Sequence, residues 1–566
     1  MKNLTTITQI FVNIIENNMI YSDKTKFIYN LLKVPQTYFL SRPRRFGKSL
    51  LLDTMNEVFL GNRDIFKGLY IYSSDYNFIK YPIIRLSMDY DNVSEPKIIE
   101  KLIIDDLNRI ATHENVQISA ITPGNALKTL IIELYEKYKN KVVVLIDEYD
   151  APILDKINEP ALAQANLEVL HGFYRTLKGV ERAVQFSFVT GISQMARKAM
   201  GQSVSNLVDL SLDPAYAEIC GFTMAEMDQL FSDRYAVTLR NLPARQKGKP
   251  KTVADLRQMI LDWYDGYNFG GREQVLNPFS IMSFFRYGRF DNYWLDSGPS
   301  LFLSGLIKKQ PSRFLNVLTT GHDESLLRRL DVENLDIVSI LYQTGYITID
   351  KIVDFHNKNT NSYESYCYFK LPNKEVRKAY NLTVRTDFFN IKVSEYKDLT
   401  NNLSRAFQER DAKWLETCVH SLLSSIPSIL HQPSEAFYHG AIHGLLFSMN
   451  LDVVSEADSA TGRSDVVLIL PGMVYAVIEL KYVARTAKAD GDPVEADRLQ
   501  QAAIKMAFEQ IAAKGYHDPY LAKAKEIWPV GLAVYGRDQV KLSFGQPIAG
   551  LKAAPAGPSS GRRPQK

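Results

Sequence analysis

The stretch Tyr38–Ser49 constrains the fold more than any other part of the chain. It starts as a short apolar run that ends at Leu40, and it closes with Gly47-Lys48-Ser49 directly before an amphipathic helix. A strand, a turn, Gly-Lys-Ser and a helix are the layout of a phosphate-binding loop. Backbone N–H groups and a helix N-terminus surround the anion there, the lysine adds a positive charge, and the hydroxyl ligates Mg²⁺. The stretch therefore predicts a buried strand followed by a nucleotide-phosphate site.

A second run is needed to support this prediction, because Arg42 stands where the pattern G-x-x-x-x-G-K-[ST] has its first glycine. The run Lys141–Ile146 is rich in β-branched residues, as in a strand buried on both faces, and is followed by Asp147 and Glu148. In a phosphate-loop NTPase the Asp at this place holds Mg²⁺ and an adjacent Glu polarises the attacking water. A core strand with a solvated acidic cap is the alternative, but the presence of both halves of one site favours the nucleotide site.

The loop sequence RPRRFGKS (42–49) resembles that of the AAA-ATPase-like proteins, in which the missing first glycine is typical. The resemblance covers most of the chain and includes Asp23–Thr25, Asp147–Asp150, Phe188–Ile192, Tyr264–Tyr267, Asn277-Pro278 and Leu371–Asn373. It implies ATP and Mg²⁺ as ligands. The nucleotide would be bound by the loop residues Arg45, Phe46, Gly47, Lys48, Ser49 and Leu50. Mg²⁺ would be organised by Ser49 and Asp147, and Glu148 would activate water.

The resemblance also gives Thr190 a role, because in AAA-type ATPases the next strand ends in a polar residue that reaches the γ-phosphate. A hydroxyl that only closes the strand end is the alternative. Arg197 and Lys198 follow in the next loop, and a contact with a neighbouring subunit's nucleotide is left open. AAA-like modules often form rings, so a homo-oligomer is left open as well.

The composition limits the class of protein. At 566 residues the chain is too long for one hydrophobic core, so several domains are expected. The net charge of +4 gives no global indication of nucleic-acid binding. The three cysteines are too widely spaced for a disulfide framework or a zinc motif, which suits a reducing compartment. No apolar run approaches the ~18 residues of a membrane span. The N-terminal apolar residues fall at helical spacing and predict an amphipathic helix, so a cytoplasmic protein with no membrane contact is expected.

A second set of ionisable residues lies on a predicted hairpin near the C-terminus. Strand Gly462–Leu470 carries Asp465, and strand Val474–Lys481 carries Glu479 and Lys481. Strand side chains alternate, so Glu479 and Lys481 point to the same face. If Asp465 lies opposite them, the three groups form the constellation of a PD-(D/E)xK nuclease, in which two carboxylates hold Mg²⁺ and the lysine positions or deprotonates water. A hairpin with three exposed charges is the alternative.

The segment before this hairpin predicts a helix that begins near Ser434 with Glu435 in its first turn, where it offers a further acidic metal ligand. Glu435, His439 and His443 share one stripe of that helix. This stripe suggests zinc, but a fourth ligand is not evident, so histidines that line or support a nuclease cleft are the favoured interpretation. Many members of the resembling family end in a nuclease-like domain of this kind. The resemblance thus implies a nucleic-acid substrate, with Mg²⁺ or, alternatively, Mn²⁺ at this site.

Together these patterns predict an α/β protein: a phosphate-loop NTPase of AAA-like type with a parallel sheet, a mainly helical lid, and a C-terminal α/β PD-(D/E)xK nuclease-like domain. The predicted regions are an ATPase domain at 1–221, the helical lid at 222–350, a hairpin and helical connector at 351–430, the nuclease-like domain at 431–548 and a disordered tail at 549–566. The main functional hypothesis is ATP hydrolysis coupled to metal-dependent phosphodiester cleavage. The alternatives are a nucleotide-gated switch whose nuclease-like domain only binds nucleic acid or a protein, and a nuclease with an inactive ATPase.

Overall fold

The structure is a computed structural model in which the chain divides into two compact units, Met1–Leu303 with Gly321–Ala379 and Ser304–Thr320 with Tyr380–Lys566. It describes residues 1–5, 8–90, 93–118, 121–194, 207–242, 249–270, 273–294, 300–328, 332, 334–357, 362–392, 394–449, 451–459, 462–486, 489 and 492–549. Arg197, Lys198 and the predicted tail beyond 549 lie outside these ranges. Within the described ranges, no helix has both the length and the apolar character that crossing a membrane requires.

The first unit is built on a parallel sheet. Its strands are β1 (Thr37–Ser41), β2 (Ile83–Ser87), β3 (Val142–Asp147), β4 (Val184–Gly191) and β5 (Leu207–Asp209). In the described part of the chain they pair in the order β2-β3-β4-β1-β5, and every pairing is parallel. The helices of this region are Phe11–Glu16, Thr25–Leu32, Lys48–Phe59, Pro96–His113, Pro123–Tyr138, Ala151–Leu154 and Pro160–Arg175. The predicted parallel α/β fold is confirmed.

The order of the strands brings the two predicted halves of the nucleotide site together. All residues of β3 are buried, as its β-branched run predicts. Strand β4 lies between β1 and β3, with Leu40 opposite Thr190 and Ile146 opposite Val189. Because parallel strands end at the same edge of a sheet, the phosphate loop after β1 and the carboxylates after β3 meet there.

A mainly helical region follows, as predicted, with helices Met224–Phe231, Tyr235–Asn241, Val253–Tyr264, Pro278–Tyr287 and Ile337–Thr344. From its sequence, the run Leu341–Ile349 resembles the first strand of a hairpin with Tyr368–Leu371. This prediction is wrong in its first part, because Leu341 lies in the helix Ile337–Thr344. Asp336 accepts a hydrogen bond from the N–H of Val338 at the start of that helix, and Gly345 ends it at φ +90°. The hairpin itself consists of β7 (Thr348–Asn357) and β8 (Ser362–Lys370), and β8 also pairs with β6 (His322–Asp323).

The turn after Tyr264 supports the phosphate loop. Gly266 has φ +104°, and a Cβ placed there would lie 2.0 Å from the carbonyl oxygen of Pro372. The ring of Tyr267 packs edge-on against Phe46 of the loop, with 4.8 Å between ring centroids. The next aromatic residue, Phe269, also contacts Phe46, at 5.5 Å. The motif Tyr264–Tyr267 is thus a close-packed turn that holds the loop from outside.

Replacing Gly266 with alanine is expected to lower the free energy of unfolding of this unit by roughly 3 kcal/mol or more, because the new Cβ clashes with backbone and the residue keeps a positive φ. Gly288→Ala is the matched control, since Gly288 also has a positive φ (+63°) but has open space around its Cβ position. It should cost only about 1 kcal/mol. Urea unfolding of both variants checks this, and equal losses would contradict the packing argument.

The buried carboxylate of Glu375 links helix Lys374–Thr383 to residues 280 and 294 of the same unit. Glu375 is fully buried and accepts hydrogen bonds from Ser280 Oγ and the N–H of Trp294, each at 2.8 Å. Burial raises the pKa of Glu375 from 4.5 to about 7, although these two hydrogen bonds oppose the shift. Between these pH values the folded state therefore keeps a proton that the unfolded state has lost.

The free energy of unfolding should accordingly fall as pH rises from 4.5 to 7, by an amount on the order of 3 kcal/mol in total, and then level off. Glu375→Gln removes this titration, so the variant should gain stability relative to the wild type across that window. Urea unfolding at pH 5, 6, 7 and 8 measures the difference. Parallel stability curves for the two proteins would contradict the prediction.

The second unit contains a mixed sheet. Its strands are β9 (Asp452–Ser459), β10 (Gly462–Leu470), β11 (Val474–Val483), β12 (Glu526–Tyr535), β13 (Gln539–Phe544) and β14 (Ile548–Ala549). In the described residues they run in the order β13-β12-β11-β10-β9, with β14 on β12, and only β11 and β12 pair in parallel. The main helices are Tyr396–Glu409, Ala412–Ser424, Glu435–Ser448 and Pro493–Ala513. The division between the two units falls within two further helices, Ser300–Lys309 and Lys374–Thr383. The predicted α/β character of the C-terminal region is confirmed.

Candidate functional sites: a phosphate loop and an acidic sheet edge

The phosphate loop has the backbone of an anion site. Gly47 is the N-cap of helix Lys48–Phe59 and has φ +94°, and Arg45 has φ +70°. Left-handed residues in such a loop turn successive N–H groups towards a common concave surface. The unpaired N–H groups and the dipole of the helix N-terminus add to the attraction for an anion. Phe46 is buried against the aromatic turn described above, which fixes the loop in place.

Arg42, at the position of the first glycine of the usual pattern, has a structural role. Its side chain is only 1% exposed and donates hydrogen bonds to the carbonyl oxygens of Ser41 (2.9 Å), Ser211 (2.8 Å) and Tyr216 (3.1 Å). Its guanidinium also lies 4.2 Å from the ring centroid of Phe269. The residue therefore anchors the start of the loop through its side chain. Sequence reasoning registered Arg42 only as a departure and missed this role.

Lys48 lies under the loop and close to the acidic end of β3. It is 6% exposed, and its Nζ donates to the carbonyl oxygens of Arg42 (2.9 Å) and Pro43 (3.1 Å). Burial lowers the pKa of Lys48, while the charges of Asp147, Glu148 and Asp150 oppose this change. The lysine of the phosphate loop and the carboxylates after β3, which the sequence predicts as two halves of one site, therefore interact electrostatically.

The carboxylate of Asp147 is held by its neighbours. Thr190 is fully buried, and its Oγ1 donates to Asp147 Oδ1. The N–H of Glu148 donates to the same oxygen at 3.0 Å. Thr190 therefore orients Asp147, a contact that the strand spacing did not reveal. A contact between Thr190 and a γ-phosphate stays a prediction.

Glu148 has the features of a functional carboxylate. Its φ of +50° is unusual for a residue with a side chain, and such strain is concentrated at functional sites. Burial raises its pKa to about 7, Asp89 and Asp147 add to the shift, and Lys48 and Arg44 oppose it. A carboxylate with a pKa near neutrality is suited to accept a proton from water.

Glu148 faces a cavity of about 420 Å³ that begins at the phosphate loop. The loop side of its wall is made by residues 44–51, together with Asp89 and Glu148. The rest of the wall comes from N-terminal residues between Thr5 and Lys24, from Thr54, from residues 219–222 and from helix Pro278–Tyr287. A volume of this size is in the range of small-molecule sites, about 300–1,000 Å³.

Asp150 was in the predicted acidic run without a role, and the structure gives it a structural one. Its buried carboxylate accepts hydrogen bonds from the N–H groups of Ile192 and Ser193, which ties the segment after β4 to the end of β3. Burial raises the pKa of Asp150. A Cβ at Gly191 would lie 2.4 Å from Asp150 Oδ1 and from the Tyr149 ring, so this crossing needs a glycine.

The second site is formed where β10 and β11 pair. Their antiparallel register sets Val466 opposite Ile478, next to Asp465 and Glu479. The N–H of Leu480 donates to Asp465 Oδ2 at 2.7 Å. Lys481 Nζ lies 3.0 Å from Glu479 Oε1 on the shared face. The three residues predicted from the strand alternation therefore converge where β10 starts and β11 ends. This end of the two strands is called the acidic sheet edge.

Helix Glu435–Ser448 completes this edge. The hydroxyl of Ser434 caps the helix by accepting from the N–H of Phe437 at 3.3 Å, which places Glu435 in the first turn. Glu435 Oε1 is 3.4 Å from Lys481 Nζ, and its Oε2 accepts from the N–H of Tyr482 at 3.3 Å. Glu435 therefore lies next to Lys481 at this edge, and its role as a metal ligand stays a prediction.

Of the two histidines on the same helix, His439 contacts the site directly and His443 packs against another residue of the helix. His439 Nε2 lies 2.7 Å from the carbonyl oxygen of Asp465, and the ring of His443 stacks on Phe447 with 5.7 Å between centroids. Within the described ranges, no group of three or more His, Cys, Asp or Glu side chains is placed to hold a metal ion. The supporting interpretation of the histidines is the one that fits these contacts.

The charges at this edge are unbalanced in a way that suits a cation. Glu479 is 1% exposed, and burial, followed by the charge of Asp465, raises its pKa to about 7, while Lys481 opposes the shift. Burial also raises the pKa of Asp465. Among the described residues, Glu479 Oε2 is buried with no hydrogen-bond partner. A buried carboxylate oxygen is costly to leave unpaired, and a divalent ion with a preference for oxygen ligands, such as Mg²⁺ or Mn²⁺, compensates it.

Lys481 stays charged in this setting. Burial by itself lowers the pKa of Lys481, but the hydrogen bond to Glu479 and the charges of Glu479, Glu435 and Asp465 outweigh burial, so the pKa is raised. A lysine that keeps its proton donates hydrogen bonds and does not act as a base. This favours positioning of water or of a phosphate oxygen over proton abstraction.

Comparison with known proteins supports both regions. Residues 6–200 match the sequence model of a family described as "Predicted AAA-ATPase", and residues 433–543 match that of the "PD-(D/E)XK nuclease superfamily". These are the two families predicted from the motifs, so both predictions are confirmed. The chain thus contains an ATPase-like and a nuclease-like region.

A relative extends the similarity along the chain. A protein of Azotobacter chroococcum mcd 1, described as "Uncharacterized protein in vnfD 5'region", is 28% identical over 525 residues, which cover 92% of this chain and 93% of that protein. A crystal structure described as that of a DNA replication initiation factor matches 72% of this chain and 97% of its own, with 10% identity and a TM-score of 0.23. At that TM-score the match supports no inference about this chain.

Proposed function

We propose that this chain, with its AAA-ATPase-like N-terminal region and its C-terminal region of the PD-(D/E)XK nuclease superfamily, hydrolyses ATP and couples it to metal-dependent cleavage of phosphodiester bonds. The observation that carries the proposal is the convergence of Asp465, Glu479, Lys481 and Glu435 at one sheet edge, in a chain that also has the phosphate loop. The ATPase-like family model supports the ATP-binding part of the proposal, and the nuclease superfamily model supports the cleavage part. The geometry supports the residue roles proposed next.

At the first site, the backbone of residues 45–50 would surround the phosphates, and Lys48 would bind the β- and γ-phosphates. Ser49 and Asp147 supply oxygen ligands for Mg²⁺, and Asp147 is already oriented by Thr190. When bound, the ion neutralises charge on the phosphate oxygens. Glu148, at the wall of the cavity, would accept the proton of the attacking water.

At the second site, Asp465 and Glu479 would hold Mg²⁺ or Mn²⁺ with Glu435 as an additional ligand. The unpaired Glu479 Oε2 gives this site its strongest reason to take up a cation. A divalent ion held there would supply Lewis-acid polarisation of the phosphodiester. Lys481, kept charged by Glu479 and Glu435, would donate hydrogen bonds to the attacking water or to a phosphate oxygen.

Other features belong to the same proposal. We propose the division into 1–221, 222–350, 351–430, 431–548 and 549–566 as functional regions, nucleic acid as the partner, and assembly of several copies of the chain. The cytoplasm is the proposed compartment, because Cys220, Cys367 and Cys418 are all free and buried.

Incubation of the full chain with end-labelled single-stranded DNA, duplex DNA and RNA tests the proposal. Each substrate is combined with Mg²⁺ or Mn²⁺, with and without ATP, and EDTA is the control. We expect cleavage that needs the metal and changes with ATP. Binding without cleavage would replace the proposal by the nucleotide-gated switch, and cleavage indifferent to ATP would leave a nuclease with an inactive ATPase.

A further inference from the structure

A much smaller cavity lies at the start of the phosphate loop, apart from the large one described above. Its volume is about 10 Å³, and its wall comes from residues 41–43 before the loop, from the segment after β4, from residues 211, 212 and 269, and from helix Ile337–Thr344. A space of roughly 10–15 Å³ is what one buried water molecule needs. The cavity is therefore too small for an organic ligand and has the size of a single water.

Four polar atoms of the residues that line this cavity are buried without a hydrogen-bond partner in the described part of the chain. They are Arg42 Nε, Gln194 Oε1, the hydroxyl oxygen of Tyr342 and Gln343 Nε2. All four side chains are more than nine-tenths buried, since their exposed fractions run from 1% for Arg42 to 7% for Tyr342. Buried polar groups are almost always hydrogen-bonded, because an unpaired one is costly. Four such groups around one cavity therefore indicate an occupant that pairs them.

The orientation of the Gln343 amide is fixed by the contact at its other end. Its Oε1 accepts a hydrogen bond from the N–H of Gln194 at 3.0 Å. A backbone N–H only donates, so the amide oxygen of Gln343 must take this position. The amide nitrogen, which only donates, is left for the cavity.

Arg42 supplies a second donor. Its terminal guanidinium nitrogens donate to the carbonyl oxygens of Ser41, Ser211 and Tyr216, whereas its Nε–H has no partner among the described residues. Burial raises the pKa of Tyr342, and the charge of Arg42 opposes this shift. The hydroxyl of Tyr342 therefore lies close enough to the guanidinium to share one occupant with it.

The four atoms match the hydrogen-bonding capacity of water. Arg42 Nε and Gln343 Nε2 donate, Gln194 Oε1 accepts, and the hydroxyl of Tyr342 does either. A water molecule donates two hydrogen bonds and accepts two, so one water pairs all four atoms. A halide ion, which the buried charge of Arg42 would attract, only accepts hydrogen bonds and would be repelled by the oxygen of Gln194.

We propose that this cavity binds one ordered water molecule, held by Arg42, Gln194, Tyr342 and Gln343. The water joins three segments that are far apart in the chain: the start of the phosphate loop, the segment after β4 and helix Ile337–Thr344. It reinforces the direct hydrogen bond between Gln194 and Gln343. The water site depends on the fold alone, so it stands or falls independently of ATP hydrolysis and of nucleic-acid cleavage.

The water site continues a set of contacts that hold the segment after β4. Asp150 accepts from the N–H groups of Ile192 and Ser193, and Gln343 accepts from the next N–H, that of Gln194. Three successive backbone donors are thus paired with buried side chains. The water adds the side chain of Gln194 to this network and links it to Arg42 of the loop.

Two crystal structures of the full chain test the proposal, one from crystals grown with chloride and one from crystals grown with bromide. We expect electron density for one water in both, at about 2.7–3.2 Å from each of the four atoms. An empty cavity would overturn the proposal. An anomalous bromide signal at this position would show an anion in the cavity and would also overturn it.

Thermal unfolding of Tyr342→Phe in the full chain tests the proposal in solution. A hydroxyl that is paired with water stabilises the fold, so its removal should lower the melting temperature by about 1–3 °C. A hydroxyl that is buried without a partner destabilises the fold, so an unchanged or higher melting temperature would overturn the proposal. Tyr363→Phe is the matched control, because Tyr363 is 77% exposed, and it should melt like the wild type. If Tyr342→Phe does not fold, the wild-type crystal structures decide.

Discussion

Replacing Lys48 with alanine is expected to abolish ATP hydrolysis, with a loss of at least about 100-fold in turnover. The ammonium of Lys48 is buried at the point where the phosphate loop and the carboxylates after β3 meet, and in the proposed mechanism it carries the charge that meets the β- and γ-phosphates. Without this positive charge, the negative charges of Asp147, Glu148 and Asp150 near the loop are less well neutralised. They then repel an anionic ligand more strongly. Release of inorganic phosphate from ATP is the measurement.

Lys101→Ala is the control, because Lys101 is exposed on helix Pro96–His113. It should hydrolyse ATP at the wild-type rate. Circular dichroism should show that Lys48→Ala keeps its secondary structure. Undiminished ATP turnover in a folded Lys48→Ala variant would mean that the first site is assigned to the wrong residues. In the coupled mechanism the variant should also lose any effect of ATP on nucleic-acid cleavage while keeping the cleavage itself.

Glu479→Gln is expected to abolish metal-dependent cleavage, with a rate loss of about 100-fold or more. The substitution keeps the size of the side chain but removes the charge, and with it the buried, unpaired carboxylate oxygen that favours a cation. It should not destabilise the fold near pH 7, because burial already disfavours the charged form of Glu479 and raises its pKa to about 7. The measurements are the cleavage rate as a function of Mn²⁺ or Mg²⁺ concentration and the thermal unfolding of the variant.

Glu509→Gln is the matched control, since Glu509 is exposed on helix Pro493–Ala513 with a weak ion pair to Lys505 at 3.9 Å. It should cleave like the wild type. Cleavage retained in Glu479→Gln would mean that the acidic sheet edge is not the catalytic centre. Loss of cleavage together with loss of folding would instead assign Glu479 a structural role.

The sequence was most informative where the chemistry lies on one short segment. The strand before the loop, the buried strand that ends at Asp147 and the hairpin that carries Asp465 and Glu479 could all be predicted, because hydrophobic runs and strand alternation are local patterns. The start of the hairpin expected at Leu341 was wrong, since a run of apolar residues suits a helix as well as a strand. Asp336 and Gly345 decided for the helix by satisfying its two ends.

Contacts between distant segments could not be predicted in the same way. The hydrogen bond from Thr190 to Asp147 joins the ends of two strands 43 positions apart, and the ion pair between Lys24 and Glu226 spans 202 positions. The anchoring of Arg42 by Ser211 and Tyr216 and the support of Phe46 by Tyr267 are of the same kind. A single sequence carries no local signal for such partners.

The sequence by itself determined which side chains are available: a lysine and a serine after a tight turn, two carboxylates at the end of a buried strand, and an Asp, a Glu and a Lys on one hairpin. These follow from the pattern of short segments, where backbone geometry dictates which way a side chain points. Only the tertiary structure decided which of them are buried, paired or left with an open oxygen, as in Glu479. The reason is that burial and pairing depend on elements that meet in space, and the strand order and helix packing that bring them together are properties of the whole fold.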